Sequence, residues 1–578
     1  MPLDAEDRPI GRAATAGTEA VRAARDFLFE HATDYDGAVT GFRWPDLTEF
    51  NFALEWFDVV AAEHPDRAAV TIVDAELNAQ SWTYGELAER SNQVARWLRS
   101  IGLRAGDHVI VMLNNTIELW ELLLALLKIR AVAIPTSTLL SAGDLAYRVQ
   151  HGQARAVAAP TALAPRVNEL PHGVLRIGVG DHAPSGWHAL KDSRHAPTEY
   201  RPSAPTAADA ISLLYFTSGT TSRPKLVAHT HVSYPVGHLS TMWWLGVRPG
   251  DVHLNISSPG WGKHAWSNFF APFLAQATVF VFNYERFDAQ TLMRVMDTHQ
   301  VTTFCAPPTV WRMLILADLS QLSRPPRELV GAGEPLNPEV ISRVRQAWGG
   351  TIRDGFGQTE MTCCVGNSPG QLVKDGSMGR PLPGYPVVLL DPTDDTPSPD
   401  EGEICLDLSA PILGLMAGYH NDADMTAEAC RGGHYHTGDI ASCDADGYLT
   451  YVGRADDVFK ASDYKISPFE LESILLEHPY VTEVAIVPSP DPVRAAVPKA
   501  FICLVQDFAA EQEAAARAIF AHARTRLSGF QRVRIVEFVG ELPKTISGKI
   551  RRVELREREA QRVESKDAGG QYLEADFR

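Results

Sequence analysis

The stretch YFTSGTTSRPK, residues Tyr215 to Lys225, decides the expected fold because it joins a strand pattern to a loop of small polar residues. Aromatic residues suit a β-strand, and the run of Ser, Thr and Gly that follows ends in Pro224 and Lys225. Such a loop offers backbone N–H groups, hydroxyl donors and one ammonium, which are the groups that polyphosphate oxygens require. The spacing is not that of a Walker loop, because Lys225 is not next to a second glycine. A solvated Ser/Thr loop is the alternative for so short a motif.

The composition is that of an ordinary soluble globular protein. The chain has 578 residues, too many for one core, and 21% of them are charged against 45% hydrophobic. The formal charge of -18 disfavours nucleic acid and anionic membranes as partners. A polyanionic substrate would therefore need its own local cluster of positive groups.

The cysteines and the apolar segments indicate a cytoplasmic protein. The seven cysteines are an odd number, and Cys363 and Cys364 are adjacent, which suits neither a disulfide framework nor zinc-ligand spacing. The amino terminus lacks the apolar core of a signal peptide. The most apolar segment, LWELLLALLKIRAVAIP, is interrupted by Glu121, Lys128 and Arg130, so we expect a buried helix and a strand instead of a membrane span.

Strand-like and helical patterns alternate along most of the chain, which predicts an α/β fold with parallel sheets built from βαβ units. We expect a large N-terminal domain, residues 1–455, whose two α/β halves are joined by the Pro-rich segment at about 195–210. Strands and turns from about 380 to 455 predict a small β subdomain. Residues 456–578 are expected to form an α+β domain that ends in a charged, fraying tail.

Four further motifs carry groups that suit nucleotide chemistry. The segment DGFGQTE, Asp354 to Glu360, ends in a hydroxyl beside an acid, a pair suited to a magnesium ion that bridges phosphates. YHTGDIA supplies Asp439 for ribose hydroxyls, YVGRADD supplies Arg454, and LPKTISGKIRR supplies Lys549. In this order the motifs resemble those of the adenylate-forming superfamily, and the resemblance runs from about Phe52 to about Arg556.

Within that superfamily the chain looks most like the acetyl, medium-chain and aryl acyl-CoA synthetases, on segments such as GAGEPLNPE. The resemblance implies that a carboxylic acid is joined to AMP with loss of pyrophosphate and that the acyl group then passes to coenzyme A. The ATP-binding residues that it implies are Thr217, Ser218, Gly219, Thr220, Thr221, Lys225, Gly333, Glu334, Pro335, Asp354, Gly355, Phe356, Gly357, Gln358, Thr359, Asp439, Arg454, Lys465 and Lys549.

The implied catalytic residues are Thr359 at the α-phosphate, Glu360 as the Mg²⁺ ligand and Lys549 between the carboxylate and the phosphate. Lysine suits that place because a compact ammonium on a long stem reaches two oxygens from a mobile domain. The family moves its C-terminal domain about a hinge that falls on Asp456 here. The alternatives are a surface lysine for Lys549, a turn acid for Asp456, and an internal ion pair for Asp439 with Arg454.

The resemblance also suggests an acyl pocket. Acetate-specific relatives place a tryptophan where this chain has Gly357, so we expect an acid larger than acetate, of medium chain length or aromatic. The candidate pocket residues are Trp261, Gly262, Lys263, His264, Ala332 and Gly357. His264 and Trp266 are expected behind the pocket wall, although an aromatic stretch such as WGKHAWSNFF is as often core as pocket.

Two residues depart from the family pattern. The usual SGYRI is SDYKI here, so that Asp463 replaces a glycine on the coenzyme A path next to Ser462, and Lys465 replaces an arginine. An alternative acceptor, namely a carrier-protein thiol, an amine or another small nucleophile, therefore stays open. A degenerate nucleotide-binding sensor is the non-enzyme alternative, against which the retained Lys549 argues. The acid's identity and any homo-oligomer formation cannot be deduced from the sequence.

Overall fold

The chain forms two compact units, which are Met1–Val387 with Leu406–Tyr435, and Val388–Cys405 with His436–Arg578. The computed structural model describes residues 13–217, 224–334, 336–455, 457–461, 464–491, 494–505, 511–529, 531–544, 550–565 and 569–577. The domain boundary expected between residues 455 and 456 stays a prediction.

Helices occur in both units. The α-helices are α1 (Ala16–Glu30), α2 (Tyr35–Gly41), α3 (Asp58–Glu63), α4 (Tyr84–Ser100), α5 (Ile117–Ile129), α6 (Ala142–His151), α7 (Ala164–Val167), α8 (His238–Leu245), α9 (Gly262–Ala265), α10 (Ala271–Leu274), α11 (Ala289–Thr298), α12 (Pro308–Leu314), α13 (Pro338–Trp348), α14 (Ala423–Ala429), α15 (Pro468–Leu476), α16 (Gln512–Arg526) and α17 (Arg552–Ser565). Two π-helical turns, Phe52–Phe57 and Trp266–Phe270, run directly into α3 and α10.

The strands follow the predicted alternation. They are β1 (Ala68–Val73), β2 (Ala79–Thr83), β3 (His108–Val111), β4 (Val132–Pro135), β5 (Ala154–Pro160), β6 (Leu175–Val179), β7 (His188–Ala189), β8 (Ile211–Thr217), β9 (Lys225–Thr230), β10 (Val252–Asn255), β11 (Thr278–Phe282), β12 (Thr303–Ala306), β13 (Glu328–Ala332), β14 (Ile352–Phe356), β15 (Val365–Gly366), β16 (Ser377–Pro381), β17 (Val387–Leu390), β18 (Glu401–Asp407), β19 (Gly418–Tyr419), β20 (His434–Cys443), β21 (Leu449–Arg454), β22 (Phe459–Ala461), β23 (Tyr464–Ile466), β24 (Val481–Asp491), β25 (Ala495–Leu504), β26 (Ile535–Phe538) and β27 (Gln571–Leu573).

Two sheets organise the first unit. One runs in the order β19-β9-β8-β4-β3-β5-β6-β7, and the other contains the run β16-β15-β14-β13-β12-β10-β11-β1-β2. The pairs β3–β4, β12–β13 and β13–β14 are parallel, as the βαβ pattern predicts. Because parallel strands end at the same edge, the segments that follow β13 and β14 are brought together there.

Local capping signals fix several helix starts. Thr83 and Glu86 form a reciprocal capping box at the start of α4, because each side chain accepts a hydrogen bond from the other's backbone N–H. The side chain of Asn337 accepts from the backbone N–H of Glu339, with Pro338 in the first turn, so the predicted start of α13 is confirmed.

The sequence-based expectation that the carboxyl-terminal tail frays is wrong, because the tail is folded in the second unit. It forms helix α17, and β27 pairs antiparallel with β26. Glu559, only 2% exposed, accepts a hydrogen bond from the fully buried ammonium of Lys499, and Phe577 packs in the core of the unit. The tail is charged, but its carboxylates find buried cationic partners, so the charge does not keep it in solvent.

The cysteines are as the sequence predicts: the seven are free thiols. Among the described residues, no helix combines the length and apolar character needed to span a membrane.

Candidate active site

The hairpin of β8 and β9 positions the cation that follows the polar loop. Thr217 lies directly opposite Lys225 at the end of this antiparallel pair that adjoins the connecting loop. The predicted phosphate-loop residues Ser218, Gly219, Thr220 and Thr221 lie outside the described residues. The half-buried Lys225 ammonium is 5.0 Å from the centre of the Tyr419 ring, a cation–π contact that holds the charge at this sheet edge.

Tyr419 connects this cation to the predicted metal ligand. Strand β19 pairs with β9 so that Tyr419 lies opposite Val227. The Tyr419 hydroxyl donates a 3.1 Å hydrogen bond to Oε1 of Glu360, and the backbone N–H of Met416 donates to the Glu360 carbonyl at 2.8 Å. Lys225 and Glu360 are therefore brought together by a tyrosine that the sequence motifs did not single out.

Thr359 is held in place by a buried histidine on β9. The His229 Nε2 lies 2.7 Å from the carbonyl oxygen of Thr359. Burial lowers the pKa of His229 to about 4, so the ring is neutral near pH 7 and Nε2–H donates to that carbonyl. The ring also stacks on Tyr234, with centroids 3.9 Å apart. The backbone of Thr359 is therefore held by a buried histidine that itself packs on Tyr234.

Two segments of predicted ATP-binding residues, at the ends of the parallel strands β13 and β14, meet at one edge of the sheet. Ala332 at the end of β13 lies opposite Gly355 of β14. Gly333 and Glu334, which come directly after β13, therefore lie at the same edge of the sheet as Phe356, the last residue of β14. Pro335 lies outside the described residues. Gln358 accepts a 3.0 Å hydrogen bond from the Tyr435 hydroxyl, which fixes the segment between the sheet edge and Thr359.

Asp354 is a buried carboxyl group at this edge. Burial raises its pKa to about 7, against the hydrogen bonds that Oδ1 and Oδ2 accept from the backbone N–H groups of Gly355 and Leu336. Lys263 donates a 2.9 Å hydrogen bond to the Ala332 carbonyl, and burial lowers the pKa of this lysine. The opposite charge of Lys263 favours the ionised form of Asp354.

Of the predicted acyl-pocket residues, Trp261 precedes the short helix α9, and Gly262, Lys263 and His264 lie within it. Burial lowers the pKa of His264 to about 3, so its ring is neutral; Nε2 lies 2.9 Å from Oδ1 of Asn115. His264 also borders a small apolar cavity of about 20 Å³, which Leu123, Tyr215 and Phe270 help to line. The Trp266 indole, which directly follows α9, is buried and lies beside Gly357; its expected place behind the pocket wall stays a prediction.

The second unit contains the predicted ribose pair. Asp439 and Arg454 are directly opposite in the β20–β21 ladder, and Arg454 Nη1 lies 3.3 Å from Asp439 Oδ2. The Tyr451 hydroxyl donates to Oδ1 of the same carboxylate at 3.2 Å. Gly438 has a φ of +72°, and a Cβ there would lie 2.6 Å from Nη2 of Arg454, so glycine is required beside the pair. The ion pair is present, and binding of ribose by it stays a prediction.

Asp457, which follows the predicted hinge, is tied to the last helix. Its carboxylate pairs with Arg556 and lies 3.6 Å from Nη1 of Arg552, which also binds the buried Glu472 at 2.6 Å. The hinge residue Asp456, Ser462, Asp463 and Lys549 themselves lie outside the described residues. So does the side chain of Lys465, whose backbone pairs with Lys460.

Comparison with known proteins identifies the family. Residues 57–420 match the AMP-binding enzyme family, and residues 470–549 match the AMP-binding enzyme C-terminal domain. The chain belongs to the AMP-binding enzyme family. It is 42% identical to 4-hydroxybutyrate--CoA ligase 1 of Metallosphaera sedula, over 91% of this chain and 93% of that protein. It is 35% identical to the human mitochondrial acyl-coenzyme A synthetase ACSM3, over 92% and 93% of the two chains.

Solved structures of AMP-binding enzymes have the same architecture. The anthranilate CoA ligase AuaEII in complex with anthranoyl-AMP matches with a TM-score of 0.79 at 27% identity, over 90% of this chain and 99% of that one. A benzoate CoA ligase from Burkholderia xenovorans LB400 matches with a TM-score of 0.76 at 28% identity, over 88% and 100%. The predicted α/β fold with a smaller C-terminal domain is confirmed, and the chain is an AMP-forming acyl-CoA ligase that uses ATP and coenzyme A.

Proposed function

We propose that this ligase activates a carboxylic acid larger than acetate, of medium chain length or aromatic, as its adenylate and then transfers the acyl group to coenzyme A. The observation that carries the proposal is the cluster of Lys225, Tyr419, Glu360 and Thr359, with Gly357 two residues before the threonine. The relatives are named for 4-hydroxybutyrate, anthranilate and benzoate, which are all larger than acetate, and the last two are aromatic.

The first half-reaction is carried by charge and position. A carboxylate oxygen attacks the α-phosphorus of ATP, the new O–P bond forms, and the bond to the bridging oxygen breaks so that pyrophosphate leaves. In our proposal Lys225 neutralises the leaving phosphates, and the loop residues Thr217 to Thr221 donate hydrogen bonds to them. Thr359 donates to an α-phosphate oxygen. The His229 contact keeps Thr359 in place during this step.

Glu360 fits the role of a magnesium ligand because Mg²⁺ prefers hard oxygen donors and this carboxylate is half-buried beside the Lys225 region. A bound Mg²⁺ would supply charge neutralisation at the phosphates. The Tyr419 hydroxyl, which donates to Oε1, would hold the Glu360 carboxylate in place.

The second half-reaction requires Lys549 to leave. We propose that residues 456–578 turn about Asp456, so that a thiol attacks the acyl carbon and AMP departs. Asp463 favours one competing function, adenylation with a different acceptor, because a carboxylate replaces the glycine that the resemblance places on the pantetheine path.

The experiment that tests the function incubates the protein with ATP, Mg²⁺ and short, medium and aromatic acids, with and without coenzyme A, and identifies the products by mass spectrometry. Acyl-CoA with AMP and pyrophosphate supports the proposal, whereas an acyl-adenylate that ignores coenzyme A supports the competing acceptor. Acid-dependent exchange of labelled pyrophosphate into ATP should be nearly abolished in Lys549→Ala. Exchange that survives this substitution would remove the lysine from its assigned role.

A further inference from the structure

The Trp266 indole occupies the space that the glycine at position 357 vacates. A Cβ built on Gly357 would lie 2.3 Å from Cη2 of Trp266, which is closer than non-bonded carbon atoms approach one another. The resemblance predicted that the absence of a tryptophan at position 357 leaves an open pocket. In the structure the Trp266 indole, which belongs to the π-helical turn Trp266–Phe270, lies where a side chain at position 357 would lie.

The Trp266 indole is held in place by a hydrogen bond that it donates to Tyr234. Trp266 Nε1 donates to the Tyr234 hydroxyl at 2.7 Å, and Tyr234 stacks on His229, which holds Thr359. Burial raises the pKa of Tyr234 well above its ordinary value, so the hydroxyl stays protonated and accepts from the indole. The position of the indole is therefore coupled to the residue predicted to contact the α-phosphate.

The same tyrosine hydroxyl relates the indole to the other pocket residues. A Cβ built on Gly262 would lie 2.9 Å from the Tyr234 hydroxyl and 3.6 Å from Oγ1 of Thr359. Gly262 thus lies near both hydroxyls, and Trp266 donates to the Tyr234 hydroxyl and lies next to Gly357. An acyl chain that passed Gly262 and Gly357 from Thr359 would therefore approach the indole.

We propose that Trp266 sets the outer limit of the acyl pocket, so that the acid is compact, a short chain or a single ring, and extended medium chains are excluded. The proposal rests on the proposed function: it keeps acids larger than acetate and the single-ring aromatic acids, and it replaces the medium-chain acids of that class with short-chain acids. The physical reason is steric: a buried indole hydrogen-bonded at Nε1 cannot rotate away without leaving a polar group unpaired. The specificity-determining residue thus comes from the helix of the pocket wall, whereas position 357 only makes room for it.

The test compares the specificity constants, kcat/KM, for propionate, butyrate, hexanoate, octanoate and benzoate in the wild type, Trp266→Leu and Trp266→Phe. We expect Trp266→Leu to raise the octanoate-to-butyrate ratio at least about tenfold, since one or more methylenes gain room in an apolar site. Trp266→Phe keeps a ring and should shift the ratio less. The KM for Mg·ATP and the thermal unfolding temperature serve as controls for folding and the nucleotide site.

A second pair of variants distinguishes the indole from other neighbours of Gly357. Its Cβ would also lie 2.7 Å from the carbonyl oxygen of Thr362, so Gly357→Ala has two clashes. We expect Gly357→Ala to reduce activity more in the wild type than in Trp266→Leu, where the closer clash is gone. Equal losses in both backgrounds, or an unchanged acid profile in Trp266→Leu, would overturn the proposal. Failure of the wild type to form any adenylate would instead refute the proposed function.

Discussion

Removing the Tyr419 hydroxyl tests whether the tyrosine orients the carboxylate of Glu360, the proposed Mg²⁺ ligand. The change Tyr419→Phe deletes the 3.1 Å hydrogen bond to Glu360 Oε1 and keeps the ring that the Lys225 ammonium faces at 5.0 Å. A hydrogen bond to a charged group contributes about 1.5–3 kcal/mol, and the half-buried Glu360 places this one near the lower figure. We therefore expect about a tenfold loss in the rate of adenylation at limiting Mg²⁺.

The assay is acid-dependent exchange of pyrophosphate into ATP over a range of Mg²⁺ concentrations, with the free acid held constant. Raising Mg²⁺ should recover part of the Tyr419→Phe loss, because the carboxylate is present but less well oriented. Tyr419→Leu is the matched variant, since it removes the ring face as well as the hydroxyl, and should also weaken ATP binding through Lys225. An unchanged Mg²⁺ dependence in Tyr419→Phe would refute the reasoning.

Three further changes are predicted from the structure and the sequence. Burial raises the pKa of Asp354 to about 7, so the folded state binds this proton more tightly than the unfolded chain does. The free energy of unfolding should therefore fall by about 1 kcal/mol for each pH unit between about pH 4 and 7. In denaturant titrations Asp354→Asn should flatten this slope, and an identical slope would contradict the assignment. Lys128, fully buried, donates to Asp58 at 2.7 Å, so Lys128→Met should lower the unfolding free energy by about 3–5 kcal/mol, with partial recovery in the double variant that adds Asp58→Asn. Asp463→Gly should speed thioester formation more than adenylation in single-turnover measurements, and equal effects on both steps would count against a barrier at this residue.

Local signals in the sequence were sufficient for the element types and for the chemistry of the motifs. The start of α13 follows from Asn337 and Pro338, and the βαβ alternation follows from hydrophobic period, because both depend on residues a few positions apart. The tail was misjudged for the same reason. Its charge density is local, whereas the partner of Glu559 is Lys499, sixty residues away.

The sequence by itself determined the family, the fold class and the residue types that we expect to bind a nucleotide, since each motif is contiguous and its chemistry is evident from its members. The tertiary structure decided which side chains complete the site: Tyr419 beside Glu360, His229 behind Thr359, and Trp266 over Gly357. These contacts join residues that are far apart in the chain and meet only because the sheets pair particular strands and the π-helical turn directs its indole inward. Sequence periodicity specifies which face of an element is buried, but the order of the strands specifies what that face meets.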